Sequence, residues 1–256
     1  MYKKKRFGQH FLVDKNILAK IADSLTLKNV AYQQVLEIGP GDGKLTDFLI
    51  KDKDIELFLI EIDRDLVLLL NNSFPEIQEK IILADFLSFP FHEKFKSPIA
   101  IIGNFPYNIS SQILVKIIEN RTLIPEVVGM FQQEVAERIT ATPGKKSYGR
   151  LTILVQAFYK TEYLFTVSKN VFRPVPKVES AVIRMIRIDD RILDIDENLF
   201  FKIVKAAFGH RRKQLRNALA EFEPHFHKLE EGFLTKRAEQ LSLEDYFHLT
   251  KIFSEK

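Results

Sequence analysis

The chain has 256 residues, of which 46% are hydrophobic and 28% are charged. This is ordinary globular usage, and the length suits one large domain with room for a small second one. The absence of cysteine excludes disulfides, thiolate-bound metals and thiol nucleophiles. No apolar run reaches the roughly 20 residues of a membrane helix, and no apolar segment follows the N-terminal lysines, so we expect no membrane association and a cytoplasmic location.

The first two thirds of the chain alternate between short apolar runs and amphipathic segments. These runs predict strands at 35–38, 57–62, 80–84, 99–103, 127–131, 151–158 and 180–188. The intervening segments predict helices at 46–51, 65–72, 110–119 and 133–140. Continuous apolar strands that alternate with helices favour a mostly parallel sheet covered on both faces. We therefore predict a doubly wound α/β domain over residues 1–188.

The remainder of the chain, residues 189–256, shows no further strand pattern. Its periodicity predicts helices at 199–208, 213–222, 236–240 and 243–253, and hence a small all-helical domain. Residues 198–220 carry six basic residues and no acidic one: Lys202, Lys205, Arg211, Arg212, Lys213 and Arg216. Such a cluster, together with the N-terminal lysines, favours a polyanionic partner, although solvated surface charge explains either cluster equally well on its own.

A glycine-rich turn follows the first predicted strand. Gly39, Gly41 and Gly43 have the spacing G-x-G-x-G, whereas a dinucleotide-binding turn has G-x-G-x-x-G. Acidic residues end the next two strands, Glu61 and Asp85, and Phe86 follows the second of them. A single acidic residue at a strand end is more often a helix cap. Candidate binding residues at three successive strand ends, namely the glycine turn, Glu61 and Asp85, instead favour a shared ligand. The spacing thus predicts a nucleoside site that does not rely on a pyrophosphate.

The most specific motif comes after the fourth strand, where Asn104, Phe105, Pro106 and Tyr107 are consecutive. An amide, an apolar residue, a proline and an aromatic residue at a strand end can form a simple turn over a core tyrosine. Beside a nucleoside site, the same residues can hold an amino group and stack on a base. We favour the second interpretation.

With these motifs the chain resembles the ribosomal RNA adenine-N6 dimethyltransferases, and within them the small-subunit branch. The resemblance covers nearly the whole chain and rests on residues 5–16, 36–43, 61–65, 85, 104–111, 171–180 and 209–219. It implies a Rossmann-like methyltransferase domain that uses S-adenosylmethionine and no metal. It also implies dimethylation of two adjacent adenosines near the 3′ end of small-subunit RNA, within a pre-ribosomal particle, by a monomeric enzyme.

The resemblance also implies roles for individual residues. The cofactor would be bound by Gln9, His10, Leu12, Gly39, Gly41, Glu61, Asp85, Phe86 and Asn104. The catalytic residues would be Asn104, Phe105, Pro106 and Tyr107, and the reaction would use no general base. Tyr107 and Phe172 would stack on the target base, although a core position for Phe172 is a serious alternative in a chain with 22 phenylalanines. RNA would contact Arg211, Arg212, Lys213 and Arg216. Position 10 is His here, whereas many members of the family carry Asn.

Other functions remain open from the sequence. The same chemistry could act on large-subunit RNA or on DNA. A non-catalytic protein could use the fold to bind RNA during ribosome assembly. An NAD-dependent oxidoreductase is disfavoured by the glycine spacing.

Overall fold

A computed structural model describes residues 10–188, 195–210 and 213–254. The chain forms two compact units. The first comprises Met1–Ala136 and Thr161–Arg187, and the second comprises Glu137–Lys160 and Ile188–Lys256. The second unit thus combines a segment from the middle of the chain with its C-terminal part. A domain boundary after residue 188 stays a prediction.

Strands and helices alternate through the first unit as the sequence predicts. The strands are β1 (Phe11–Leu12), β2 (Gln34–Ile38), β3 (Glu56–Glu61), β4 (Ile81–Leu83), β5 (Ile99–Asn104), β6 (Glu126–Gln132), β7 (Tyr159–Val167), β8 (Phe172–Arg173) and β9 (Ser180–Arg187). The helices of the whole chain are α1 (Lys15–Ala22), α2 (Thr46–Leu49), α3 (Arg64–Ser73), α4 (Phe91–Lys94), α5 (Ser110–Glu119), α6 (Gln133–Ile139), α7 (Arg150–Gln156), α8 (Glu197–Gly209), α9 (Leu215–Ala218) and α10 (Leu243–Ser254).

Seven of these strands form one sheet in the order β4-β3-β2-β5-β6-β9-β7. The pairs from β4 through β6 are parallel, and β9 runs antiparallel to β6. Leu36, Ile101 and Val128, on three adjacent strands, have no exposed surface, as expected for parallel strands covered on both faces. The predicted mostly parallel, seven-stranded α/β fold is confirmed. β1 and β8 form a separate short antiparallel ribbon.

The prediction of a strand at 151–158 is wrong. That segment forms α7, and the strand follows it as β7. Four consecutive residues of α7, from Thr152 to Val155, are buried, so the burial of this helix shows no amphipathic period. A short run of this kind fits a buried strand and a buried helix equally well. β7, by contrast, alternates between exposed and covered positions near its start, as a strand with one solvated face does.

Helices and 3-10 turns make up most of the second unit where the structure describes it. Asp196 caps α8 by accepting a hydrogen bond from the Leu199 amide, and the buried face of α8 includes Phe200 and Ile203. The predicted helix at 213–222 is shorter than expected: α9 ends at Ala218, and a 3-10 segment that contains Pro224 follows it. The predicted helix at 236–240 is a single 3-10 turn. Among the described residues, no helix is long and apolar enough to cross a membrane.

Candidate active site

The functional residues predicted from the sequence meet at the carboxyl edge of the sheet. Registers that pair Ile38 with Ile60 and Glu61 with Leu83 align the ends of β2, β3 and β4. Because the strand order is β4-β3-β2-β5, Asp85, Glu61, the glycine turn and Asn104 line one pocket in that order. This is the edge at which open α/β sheets bind their ligands.

In the glycine turn, backbone atoms without side chains line this pocket. Gly39 and Gly41 both have positive φ, near +62°, which side chains other than glycine rarely adopt. A Cβ built on Gly39 meets nothing within 4 Å, whereas one on Gly41 meets the Phe11 ring at 2.8 Å. The backbone at Gly39 is therefore open to a ligand, and the turn at Gly41 is closed over by β1.

Glu61 is 5% exposed and its orientation is fixed by backbone amides. Its Oε1 accepts hydrogen bonds from the amides of Ile62 and Asp63, at 2.9 and 3.0 Å. Its Oε2 accepts a long one, 3.3 Å, from the Gly41 amide. Burial raises the pKa of the carboxyl above its usual value, against the effect of these amides. The long bond leaves Oε2 available to a hydroxyl donor in the pocket.

Asp85 caps a turn and also lines the pocket. Its Oδ1 caps the turn after β4 by accepting from the Leu87 amide at 2.9 Å, and the residue also lines the pocket. Phe86 is 5% exposed, lines the same pocket, and packs edge-on against Phe91. The cap fixes the carboxylate at the rim, beside an aromatic surface.

Asn104 ends β5 with its amide orientation set by one contact. Its Nδ2 donates to the carbonyl oxygen of His10 at 2.9 Å, and an Nδ2–H pointed at a carbonyl is the favourable assignment of the two amide atoms. Among the described residues, none donates to Asn104 Oδ1 or to the Phe105 carbonyl oxygen. The site thus presents two unpaired acceptors on adjacent residues.

The Phe105 ring anchors this peptide in the core. It is 1% exposed and meets Phe131 edge-on with ring centroids 5.0 Å apart. Two glycines leave the space for it: a Cβ on Gly129 would lie 2.5 Å from the ring, and one on Gly103 would lie 3.1 Å from it. Pro106, which also lines the pocket, follows directly.

Tyr107 is half-buried and held at two points. Its hydroxyl shares a 2.6 Å hydrogen bond with Oγ of Ser180, and its ring stacks on His10 with centroids 5.7 Å apart and planes 24° apart. Burial raises the pKa of the phenol above its usual value, so the hydroxyl stays protonated at neutral pH. The ring and the acceptors at Asn104 line the same pocket.

Other predicted residues differ in outcome. Leu12 is 4% exposed and lines the pocket. Phe172 is fully buried in the hydrophobic core, as in the alternative that the sequence left open for it. Lys213 and Arg216 are exposed in the second unit. Gln9, Arg211 and Arg212 lie outside the described residues.

The pocket residues that the sequence reasoning missed include Glu37 and Ile62. Glu37 lies inside β2, where its neighbours mark it as a core position; it is 2% exposed and accepts a 2.7 Å hydrogen bond from the Thr46 hydroxyl. Burial raises its pKa to about 8, and the nearby Glu61 adds to the effect. Ile62 directly follows Glu61 and is 47% exposed. An acidic residue inside an apolar strand run was the available signal for Glu37.

Comparison with solved structures defines the class of protein first. The chain is similar to a dimethyladenosine transferase from Plasmodium falciparum, with a TM-score of 0.76 and 25% identity over 93% of this chain and 95% of that one. It is also similar to the 23S rRNA methyltransferase ErmE, with a TM-score of 0.73 and 25% identity over 96% of this chain and all of that one. The fold is that of a Rossmann-like RNA methyltransferase.

The sequence comparisons identify the family. The sequence model of the ribosomal RNA adenine dimethylases matches residues 1–255, and the chain belongs to that family. Two relatives bear the name ribosomal RNA small subunit methyltransferase A. The one from Cytophaga hutchinsonii is 48% identical over 99% of this chain and 98% of its own length. The one from Flavobacterium johnsoniae is 51% identical over 97% and 94%.

Proposed function

We propose that the protein dimethylates the N6 amino groups of two adjacent adenosines near the 3′ end of small-subunit ribosomal RNA, using S-adenosylmethionine. The observation that carries the chemistry is the pair of unpaired acceptors, Asn104 Oδ1 and the Phe105 carbonyl. The choice of RNA rests on the relatives named for the small subunit, which are 48–51% identical to this chain.

The pocket fits a nucleoside that carries an amino-acid tail. Glu61 would accept from the ribose hydroxyls, and Asp85, with Oδ1 engaged in its cap, would accept from the adenine amino group through Oδ2. The open backbone at Gly39 would face the methionine part. When bound, the sulfonium supplies an activated methyl group, so the protein needs to position the reactants more than to activate them.

The acceptors at Asn104 and Phe105 would act on the target amine. The lone pair of adenine N6 is delocalised into the ring, which makes the nitrogen a weak nucleophile. Two oxygens that accept its two hydrogens favour a more tetrahedral nitrogen, whose lone pair then points out of the ring plane. Tyr107 would hold the base by stacking. A neutral amide suits this role because the nitrogen keeps its protons, two in the first transfer and one in the second, until the methyl group has transferred. One proton then leaves the cationic nitrogen for water in each transfer.

The RNA would be bound through its phosphates and would present an adenine that has left its stack, at a cost of about a few kcal/mol. Lys213 and Arg216 are exposed and suited to phosphate contact. Binding would weaken steeply with salt as counterions are displaced. We further propose that the substrate is a pre-ribosomal particle, that the enzyme acts as a monomer, and that it works in the cytoplasm.

The test is methyl transfer from labelled S-adenosylmethionine to small-subunit particles from a strain that lacks the modification. Naked small-subunit RNA and large subunits are run in parallel. We expect dimethyladenosine at two adjacent small-subunit positions, with the particle preferred over naked RNA. Label confined to large subunits would refute the proposed substrate while leaving the chemistry intact.

The second candidate is the same chemistry on large-subunit RNA. The structural likeness to a 23S rRNA methyltransferase, at a TM-score of 0.73, favours it. A direct competition between unmodified large and small subunits for limiting enzyme separates the two candidates, because each predicts label in a different RNA.

A further inference from the structure

Residues 10–12, the strap, form part of the wall of the proposed cofactor pocket. Phe11 and Leu12 form β1, which pairs with β8 through two residues, and a ribbon of this length is only marginally stable by itself. The carbonyl oxygen of His10 accepts a hydrogen bond from Asn104 Nδ2 at 2.9 Å. The strap therefore depends on side-chain contacts to keep its place on the pocket.

The Phe11 ring provides a contact between the strap and the glycine turn. A Cβ built on Gly41 would lie 2.8 Å from Cε1 of this ring and 3.2 Å from its Cδ1. The ring thus lies in the space that the absent side chain leaves, and both residues line the pocket. If Phe11 left the glycine turn, the pocket would lose this part of its wall.

Lys44 places a positive charge near the same ring. Its Nζ lies 6.0 Å from the centroid of the Phe11 ring, at the outer end of the range over which a cation is attracted to an aromatic face. Asp42 Oδ2 lies 2.7 Å from this Nζ and restrains the flexible lysine side chain. Of the described residues that line the pocket, Lys44 is the only lysine or arginine. Its ammonium group is therefore held at the pocket, beside the strap.

We propose that Lys44 is a positioning residue that holds Phe11 on the glycine turn, and that S-adenosylmethionine and its product enter and leave the pocket when this contact breaks. The proposal rests on the proposed function, since it takes these molecules as the ligands. Lys44 acts on them through Phe11 and does not contact them. Loss of its charge therefore speeds both entry and departure, and affinity changes little, because the lost contact lies within the protein.

A direct contact between Lys44 and the ligand predicts a different result. An ammonium group that pairs with the carboxylate of the bound ligand contributes to affinity, so its removal raises the dissociation rate and weakens binding by the same factor. The association and dissociation rates together thus separate a residue that holds the strap from one that binds the ligand.

The test uses full-length variants with a matched control. Lys44→Gln removes the ammonium group, and Lys44→Arg keeps a positive charge. Lys51→Gln is the control, because Lys51 Nζ lies 4.9 Å from the centroid of the Phe48 ring but the residue does not line the pocket. Surface plasmon resonance measures the association and dissociation rates of S-adenosylhomocysteine. Hydrogen exchange without ligand measures the opening of the strap, and thermal unfolding measures the fold.

We expect Lys44→Gln to raise both rates about two- to five-fold, which corresponds to one exposed contact between a cation and an aromatic ring. Affinity should stay within about two-fold of the wild type, and exchange at the strap amides should rise by the same factor as the rates. Lys44→Arg and Lys51→Gln should match the wild type in rates and exchange, and thermal stability should change little in every variant. In a Phe11→Leu background, Lys44→Gln should change neither rate further, because the ring on which it acts is absent.

Either of two outcomes would overturn the proposal. Equal rates and equal strap exchange in Lys44→Gln and the wild type would show that the ammonium group does not hold Phe11. An effect of Lys44→Gln that persists in the Phe11→Leu background, or a loss of affinity equal to the gain in dissociation rate, would show that Lys44 binds the ligand itself. If the wild type binds no S-adenosylhomocysteine, the proposed cofactor fails instead, and the hydrogen exchange of the strap still decides whether Lys44 holds Phe11.

Discussion

The space around Phe105 gives a quantitative test of how the core positions the peptide from Asn104 to Tyr107. Gly129, in the centre of β6, pairs with Gly103 of β5. A Cβ at position 129 would lie 2.5 Å from the Phe105 ring and 2.6 Å from the Phe131 ring. Both rings are almost fully buried and meet edge-on, so relieving the clash requires a shift of about 1 Å from an ordinary contact distance near 3.5–4 Å.

Gly129→Ala should therefore lower both stability and turnover. Overpacking a dense core costs about 1–3 kcal/mol, which we expect to see as a lower free energy of unfolding in urea. The Phe105 shift would also displace the acceptors at Asn104, and a misplacement of about 1 Å in an active site can cost about 100-fold in rate. We expect kcat to fall at least ten-fold while the affinity for S-adenosylhomocysteine, whose pocket does not include Gly129, stays near that of the wild type.

The matched control is Gly209→Ala, because a Cβ at Gly209 meets nothing within 4 Å and the residue lies in a helix. Its stability should equal or slightly exceed that of the wild type. If Gly129→Ala lost stability but kept its full kcat, the packing around Phe105 would not control the position of the acceptors at Asn104. If it lost neither, the packing argument itself would fail.

Three further predictions concern buried polar groups. Burial raises the pKa of Glu37 from 4.5 to about 8, so the folded protein keeps a proton that the unfolded chain releases. The protonated Glu37 contributes fully to stability below about pH 4.5, and this contribution is lost as the pH rises to about 8. The loss is worth about 1.4 kcal/mol per pKa unit. Glu37→Gln should remove this pH dependence from the free energy of unfolding in urea, compared at pH 5 and 8. Ser180→Ala removes the partner of the Tyr107 hydroxyl and should lower kcat/KM for RNA about five-fold. Adding Tyr107→Phe to this variant should cause no further loss of kcat/KM. If the losses of the two single variants added up in the double variant, the two hydroxyls would not act through one shared hydrogen bond. The Glu126 carboxylate is fully buried and accepts hydrogen bonds from the Thr26 hydroxyl, two backbone amides and the Tyr32 hydroxyl. Glu126→Gln should therefore lower the free energy of unfolding by about 3 kcal/mol without changing S-adenosylhomocysteine affinity. An unchanged stability would show that an amide can replace the carboxylate in this network.

The sequence was enough to place three pocket-lining residues together. Glu61, Asp85 and Asn104 each lie at or just after the end of a strand, and the ends of parallel strands meet at one edge. The glycine spacing correctly directed attention to the turn after β2. These inferences needed only local patterns and the order of elements.

Features set by long-range packing could not be predicted. The run at 151–158 has no period that separates a buried strand from a buried helix, and the structure shows a helix over Arg150–Gln156 in which four consecutive residues are buried. Phe172 is a core residue because β8 pairs with β1, which brings it opposite Leu12. The contacts of His10 join residues 94 to 164 positions apart, and no periodicity along the chain reports such pairs.

The most direct test of the account is the single-turnover rate of methyl transfer to small-subunit particles by Asn104→Ala, compared with the wild type at saturating cofactor. We predict a loss of at least about 100-fold, the size expected when a positioned polar group is removed from a reacting centre. S-adenosylhomocysteine should still bind to the variant, within about ten-fold of the wild-type affinity. A variant that binds the particle and transfers methyl groups at the wild-type rate would contradict the central claim that Asn104 Oδ1 holds the target amine.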